Sequence, residues 1–358
     1  MRTVVPSEKV AVMPNTTARE SAVQALLSQY AGTVVCPACH GPLNATGQEI
    51  ACEKCNATYP VDSEIPLLYC PHDPVQDGKV TQTVKAFYEE NPFPNYDDLD
   101  SRQSLQDKAR RGLFAKLLDE QLPPGALVLE AGCGTGQLSN FLGMHWDRKV
   151  IGADLCLNSL KLAKGFRDRC GIQNNSFLQM NLFRPPFAHN AFDVVVSNGV
   201  LHHTNDPLGG FRSISRLVKP GGLVIIGLYN TIGRLTTDFR RFLFRISGDR
   251  LRFLDAHMRN RTYNDRRKLA WFMDQYKHPR ESKHSYDEVL SDWFDANGFD
   301  FLFSIPKIGP TAFNQDERLF EPHDPGTKAS RLVTQLEMLL SGGVDGALFI
   351  MIGRRRPS

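Results

Sequence analysis

Residues 127–136 read Leu-Val-Leu-Glu-Ala-Gly-Cys-Gly-Thr-Gly, and no other stretch of the 358-residue chain restricts its fold so strongly. An apolar run ending in three alternate glycines is a buried strand that breaks into a sharp turn and opens a helix. Glycine is needed there because the backbone must turn tightly and let a ligand approach with no Cβ in the way. Downstream, short apolar runs alternate with helical periodicity. Strands are expected over 127–130, 150–154, 176–180, 192–197 and 223–229, and helices over 137–144, 158–168 and 207–217. Such alternation builds an α/β unit with a parallel sheet covered on both faces. A helix over 285–297 and closing strands over 299–305 and 347–353 complete it.

The turn also selects among ligands. Glu130 ends the strand two residues before Gly132. A carboxylate there repels a pyrophosphate but suits a ligand with a cationic, amine-bearing end. The spacing Gly132-x-Gly134-x-Gly136 puts Gln137 where a nicotinamide-type fingerprint has its last glycine. Asp154 lies 18 residues after Gly136 at the end of the next strand, where an acid can accept from both hydroxyls of a ribose.

These residues resemble the class I S-adenosylmethionine-dependent methyltransferases. Two further segments carry the resemblance: Phe192-Asp193-Val194-Val195-Val196-Ser197-Asn198-Gly199-Val200-Leu201-His202-His203 and Arg216-Leu217-Val218-Lys219-Pro220-Gly221-Gly222. It covers residues 105–230 continuously and the last two strands loosely. The resemblance implies a Rossmann-like, doubly wound sheet of seven strands with the last antiparallel. It also implies S-adenosylmethionine as cofactor. Glu130, Gly132, Gly134 and Gly136 would hold the methionine part, and Asp154 with Leu155 the ribose. Asn181 and Leu182 would meet the adenine edge, and Asn198 would add a contact. The family commonly has Asp where Asn181 stands, but an amide oxygen can still accept from the adenine amine.

Four of the eight cysteines, Cys36, Cys39, Cys52 and Cys55, form a C-x2-C-x12-C-x2-C array. Paired knuckles of this spacing converge four thiolates on one structural Zn2+, leaving no open coordination position. The segment resembles the zinc-ribbon activator that partners several RNA- and protein-modifying methyltransferases, here fused in cis. His40 is expected to face solvent as a neighbour of the site.

The chain divides accordingly. A tail and helix occupy 1–30, the ribbon 31–72, linker helices and an aromatic, proline-fixed lid 73–125, the cofactor-binding core 126–230, a basic helical insertion 231–284, and closing elements 285–358. One helix is expected over 103–118.

Methyl transfer from a sulfonium needs alignment and, where the acceptor carries a proton, a base. His203 and His202 follow the fourth strand, whose C-terminal end faces the ligand in an open α/β sheet. They read either as a base or as strand-end packing. Tyr88, in the Phe-Tyr-Glu-Glu-Asn-Pro-Phe-Pro-Asn-Tyr stretch, is a third candidate, as part of a lid, as an aromatic staple or as a proton handler.

A net charge of +3 is too small to mark a nucleic-acid binder by bulk charge. Locally, residues 234–268 hold ten Arg and one Lys against four Asp. That stretch fits an anionic substrate, an RNA backbone, an acidic partner or a solvated helix face. No apolar run reaches the length of a membrane span, and no continuous signal-peptide core opens the chain, so a cytoplasmic protein is expected. The expected reaction is methyl transfer to a small-molecule oxygen or carbon acceptor. RNA or protein acceptors, and a scaffold without turnover, are the alternatives. Neither the acceptor nor the oligomeric state is legible.

Overall fold

The computed structural model describes residues 16–46, 49–72, 78–94, 96, 101–261, 264–309, 311–341 and 344–357. Most of the expected N-terminal tail, residues 73–77 of the linker and Asn95 of the lid lie outside them.

Helix α1 (Thr16–Gln29) buries Val23 and Leu27, with Tyr30 just beyond its end. The ribbon follows as an antiparallel meander: β1 (Leu43–Thr46), β2 (Glu49–Cys52), β3 (Thr58–Asp62) and β4 (Ile65–Leu68). Next come α2 (Gly78–Glu90), α3 (Arg102–Arg111) and α4 (Leu113–Gln121). The single helix expected over 103–118 is thus two, broken at Gly112, whose backbone is extended (ψ 104°). The alternating region gives β5 (Leu127–Ala131), α5 (Gln137–Leu142), β6 (Lys149–Asp154), α6 (Leu157–Arg169), β7 (Asn175–Met180), β8 (Phe192–Asn198), α7 (Pro207–Ser215) and β9 (Val218–Tyr229). Helix α7 starts where Pro207 follows Asp206, whose carboxylate accepts from the Gly209 N–H at 2.9 Å.

The insertion is helical: α8 (Leu235–Ser247), α9 (Ala256–Arg259) and α10 (Asp265–Phe272), the last running into a π-turn over Met273–Lys277. After α11 (Tyr286–Glu288), which continues as wider and tighter turns to Asn297, come β10 (Phe299–Ile305), α12 (Lys328–Leu340) and β11 (Leu348–Arg355).

The described strands form one sheet in the order β1-β2-β3-β4-β7-β6-β5-β8-β9-β11-β10. Strands β7, β6, β5, β8 and β9 run parallel, and β11 is antiparallel to both β9 and β10. The expected seven strands correct to eleven. The excess is the ribbon: β4 pairs in parallel with β7 through Leu67↔Gln179 and Leu68↔Met180. Ile65 and Leu68 of β4 are fully buried, so the ribbon covers what would otherwise be an open edge of apolar sheet. Its core is also shared, since Val23, Ile50, Tyr59 and Leu68 cluster with Leu178, Met180 and Phe187. None of the eight cysteines is bridged. Among the described residues no helix is long and apolar enough to cross a membrane.

Candidate active site

A cavity of about 430 Å3 opens over the C-terminal ends of the parallel strands. Its floor is made by Glu130, Asp154, Met180, Asn198 and Tyr229, each at or next to the end of its strand. Helix α2 turns Val80, Thr81, Val84 and Tyr88 toward it from one side, and Trp271, Asp274 and Gln275 line it from the insertion.

The glycine turn has φ values of +83° at Gly132, +51° at Gly134 and +70° at Gly136, the left-handed region that side chains rarely adopt. Space is as tight as the backbone. A Cβ on Gly132 would sit 2.5 Å from Val200, and one on Gly134 would sit 2.5 Å from the Phe93 carbonyl oxygen. The Phe93-Pro94 loop therefore lies directly on the turn. Thr135 Oγ1 donates to the Pro94 carbonyl, Tyr96 Oη donates to the Thr135 carbonyl at 2.8 Å, and Asn140 Nδ2 donates to Tyr96 Oη at 2.9 Å.

Two buried carboxylates flank the turn. Glu130 accepts from Ser139 N–H at 2.8 Å and from Ser139 Oγ. Burial still outweighs those bonds, and with the nearby Asp154 charge it pushes Glu130 up to about 7. Asp154 accepts from Gly134 N–H at 2.7 Å and from Cys156 N–H at 2.8 Å. Burial raises its pKa too, against those bonds.

Leu155, Asn181, Leu182 and Asn198 all border the cavity. Asn181 is partly committed elsewhere: its Nδ2 donates to the Cys70 carbonyl at the end of the ribbon (2.9 Å), and its Oδ1 accepts from Phe183 N–H (3.1 Å). Asn198 Oδ1 is buried with no hydrogen-bond partner among the described residues, set against Gly227, which has no side chain to displace it.

The other end of the cavity holds the expected His203 and Tyr88. Tyr88 Oη donates to Asp274 Oδ1 at 2.9 Å, and Gln275 Nε2 donates to Asp274 Oδ2 at 2.8 Å. Burial, then the Asp274 charge, carries the Tyr88 hydroxyl well above its usual range, and burial raises Asp274 despite both donors. His203 Nδ1 is 2.8 Å from the Arg280 carbonyl, which can only accept, so Nδ1 carries the proton. Its Nε2 lies 3.1 Å from Nε2 of His202. Burial lowers His203 to about 4, so it is neutral at neutral pH. His202 is fully buried, stacks on Tyr229 with ring centres 3.9 Å apart, and does not border the cavity.

Sequence reading missed the insertion's contribution. Arg234, fully buried, donates to both oxygens of Glu281 (2.9 and 2.7 Å) and lies 3.7 Å over the Tyr229 ring. Burial opposes the Glu281 charge, but Arg234 and Arg241 hold it at about 2. This pair ties the insertion to the end of β9. Asp274 left one trace in the sequence: it directly follows the apolar run Trp271-Phe272-Met273.

In the ribbon, the sulfurs of Cys36, Cys39, Cys52 and Cys55 lie within 4.8 Å of one another. Cys36 to Cys55 is 3.7 Å and Cys39 to Cys52 is 3.4 Å. Tetrahedral Zn–S bonds of about 2.3 Å separate sulfurs by about 3.8 Å, so the four fit one Zn2+. His40 and Asn56, after the second cysteine of each knuckle, take left-handed conformations (φ 56° and 57°), and His40 is exposed.

Residues 129–226 match the methyltransferase domain family, and residues 33–63 match the Trm112p-like protein family. An uncharacterized Synechococcus protein is 28% identical over 257 residues, covering 62% of this chain and 60% of that protein. Escherichia coli cyclopropane-fatty-acyl-phospholipid synthase is 30% identical over 279 residues, 72% of this chain and 65% of its own length. Wheat (Triticum aestivum) phosphoethanolamine N-methyltransferase is 32% identical over 133 residues, 36% of this chain and 25% of its own length. The chain thus spans less than two thirds of each of these curated relatives.

Proposed function

The chain has a class I S-adenosylmethionine-dependent methyltransferase fold joined to a Trm112p-like four-cysteine ribbon, and from that premise we propose that it methylates a small-molecule hydroxyl or carbon acceptor. The observation that carries this is one cavity with two chemically different ends, buried carboxylates beside a glycine turn at one and a tyrosine–carboxylate–histidine group at the other.

The first end fits the cofactor. Glu130 and Asp154 are buried, and nearby carboxylates raise the cost of ionising each, Asp154 for Glu130 and Glu89 for Asp154, a negative field that a cationic ligand relieves. When bound, S-adenosylmethionine supplies a methyl group on a cationic sulfur, open to in-line displacement. Glu130 and the Gly132–Gly136 turn would hold its methionine part. Asp154 and Leu155 would hold the ribose. Asn181 and Leu182 would border the adenine, Asn181 through the remaining lone pair of its oxygen. The unpartnered Asn198 oxygen is free to accept from the ligand.

At the second end, Tyr88 and Gln275 orient Asp274, and the Arg280 carbonyl fixes the tautomer of His203. His203 is neutral, and its one lone pair, on Nε2, faces His202 Nε2 at 3.1 Å, so taking an acceptor proton would require that contact to open. Helix α2 lines the cavity and the Phe93-Pro94 loop lies on the turn, an arrangement that would limit water at the cofactor end. The zinc in the ribbon would be structural. With eight unbridged cysteines, this reading goes with a cytoplasmic site of action.

The Trm112p-like ribbon and the basic insertion favour a second reading, an RNA or protein acceptor. Turnover of labelled S-adenosylmethionine on a fractionated extract separates them. Label in the small-molecule fraction supports the first reading, and label in RNA or protein supports the second. Tight cofactor binding with no label transferred to any fraction would leave a binding scaffold.

A further inference from the structure

Thirteen large apolar side chains stand exposed among the described residues, and eleven of them lie on the insertion and on α12. On α8, Leu235, Phe239, Phe242 and Ile246 are 53%, 62%, 59% and 65% exposed. Their 4-3-4 spacing confines them to an arc of about 60°. The opposite face of α8 is already satisfied, since Phe244 is buried against Phe272 and Tyr276. The stripe is therefore surplus to folding. Phe253, Leu254 and Leu269 elsewhere on the insertion, and Leu332, Val333, Leu336 and Leu340 on α12, are exposed as well. The turn between β9 and α8 meets α12, where Asn230 Nδ2 donates to Gln335 Oε1 (2.9 Å) and Met338 packs under Gly233.

Charge decides the occupant. Arg245, Arg250, Arg252, Arg259 and Arg261 are exposed around the stripe. Three acids of the segment are taken internally: Asp238 pairs with Lys283 and Arg241, Asp249 pairs with Lys277, and buried Asp255 accepts from Tyr276. The fourth, Asp265, is exposed, which leaves these five exposed arginines against one exposed acid and an outward field that is positive. A symmetric pairing of two copies would set these arginine rims against each other. An RNA backbone would satisfy the arginines but leave the aliphatic Leu235, Ile246, Leu254 and Leu269 uncovered. An apolar stripe of Phe, Leu and Ile rimmed by Arg matches an interfacial helix on anionic lipid.

We propose that the insertion docks the protein on an anionic membrane surface, with the α8 stripe entering the headgroup region and the arginines meeting lipid phosphates. The insertion also supplies Trp271, Asp274 and Gln275 to the cavity. On the methyl-transfer reading, on which this clause alone rests, the acceptor is a membrane-borne molecule.

Co-sedimentation of the full chain with vesicles tests the docking without any turnover. The protein should pellet with vesicles of phosphatidylcholine containing one third phosphatidylglycerol and stay in solution with phosphatidylcholine alone. The Phe239→Ser/Phe242→Ser variant should bind at least about tenfold more weakly, and Arg245→Glu/Arg250→Glu should also bind more weakly. Both are exposed, so unchanged thermal unfolding separates loss of docking from loss of fold. A wild-type chain that pellets with neither vesicle would overturn the proposal. So would a wild-type dimer that Phe239→Ser/Phe242→Ser converts to monomer while vesicle binding is absent. RNA binding that the arginine variant abolishes, with no vesicle binding, would also overturn it.

Discussion

Glu130 is held by Ser139 and by burial in a state between acid and carboxylate near neutrality, and this fixes two pH effects. Its folded pKa of about 7 lies above the ordinary 4.5. Across that window the unfolded chain has lost a proton that the folded chain keeps. Stability of the ligand-free protein should therefore fall as pH rises from 4.5 to 7, and Glu130→Gln should flatten that slope in denaturant titrations. Pairing with a ligand ammonium needs the carboxylate, so affinity for S-adenosylhomocysteine should drop up to about tenfold per pH unit below that value. Calorimetry one unit below and one unit above the Glu130 pKa reads this directly, and equal affinities would remove Glu130 from the ligand. Asp154→Ala should cost roughly 1.5–3 kcal/mol of the same binding, the value of charge-assisted hydrogen bonds. Thermal unfolding should be followed alongside, because Gly134 and Cys156 lose their acceptor. The polar residues at strand ends were legible because strand, turn and acid occur in a fixed order. Asp274 was not, because its place depends on a π-turn that has no sequence period of its own.

At the level of elements, the ribbon was readable as a metal site from cysteine spacing, but not as the edge of the catalytic sheet. Pairing of β4 with β7 joins residues more than 100 positions apart, and nothing local encodes a partner at that distance. The consequence is testable. Cys36→Ser/Cys52→Ser should abolish a stoichiometric zinc and lower the unfolding temperature of the whole chain, since the ribbon and the sheet share one core. Zinc that persists in this variant would place the metal elsewhere, and an unchanged unfolding temperature would make the ribbon an independent unit. Helix α12 was not expected, and its polarity is inverted, with Leu332, Val333, Leu336 and Leu340 exposed while Arg331, Thr334 and Gln335 are buried. For α2, Tyr88 separates closure from chemistry. If the ring against Phe87, His203 and His278 is what matters, Tyr88→Phe loses less than about tenfold in kcat and Tyr88→Ala far more. A loss of about 100-fold in Tyr88→Phe, beside a healthy His203→Ala, would move the proton handling to the Tyr88–Asp274 pair.

Across the molecule, the ribbon, α2 and the insertion each meet the cavity through a definite contact: Cys70 to Asn181, Tyr88 to Asp274, and Arg234 to Tyr229. They surround a sheet whose strand ends carry Glu130 and Asp154, and the central claim is that this space is built for S-adenosylmethionine. Isothermal titration of the full chain with S-adenosylhomocysteine tests it most directly. One site per chain, weakened by Asp154→Ala and by lowering the pH through about 7, is the predicted result. No binding of S-adenosylhomocysteine by a folded, zinc-loaded chain, or binding indifferent to both changes, would contradict it.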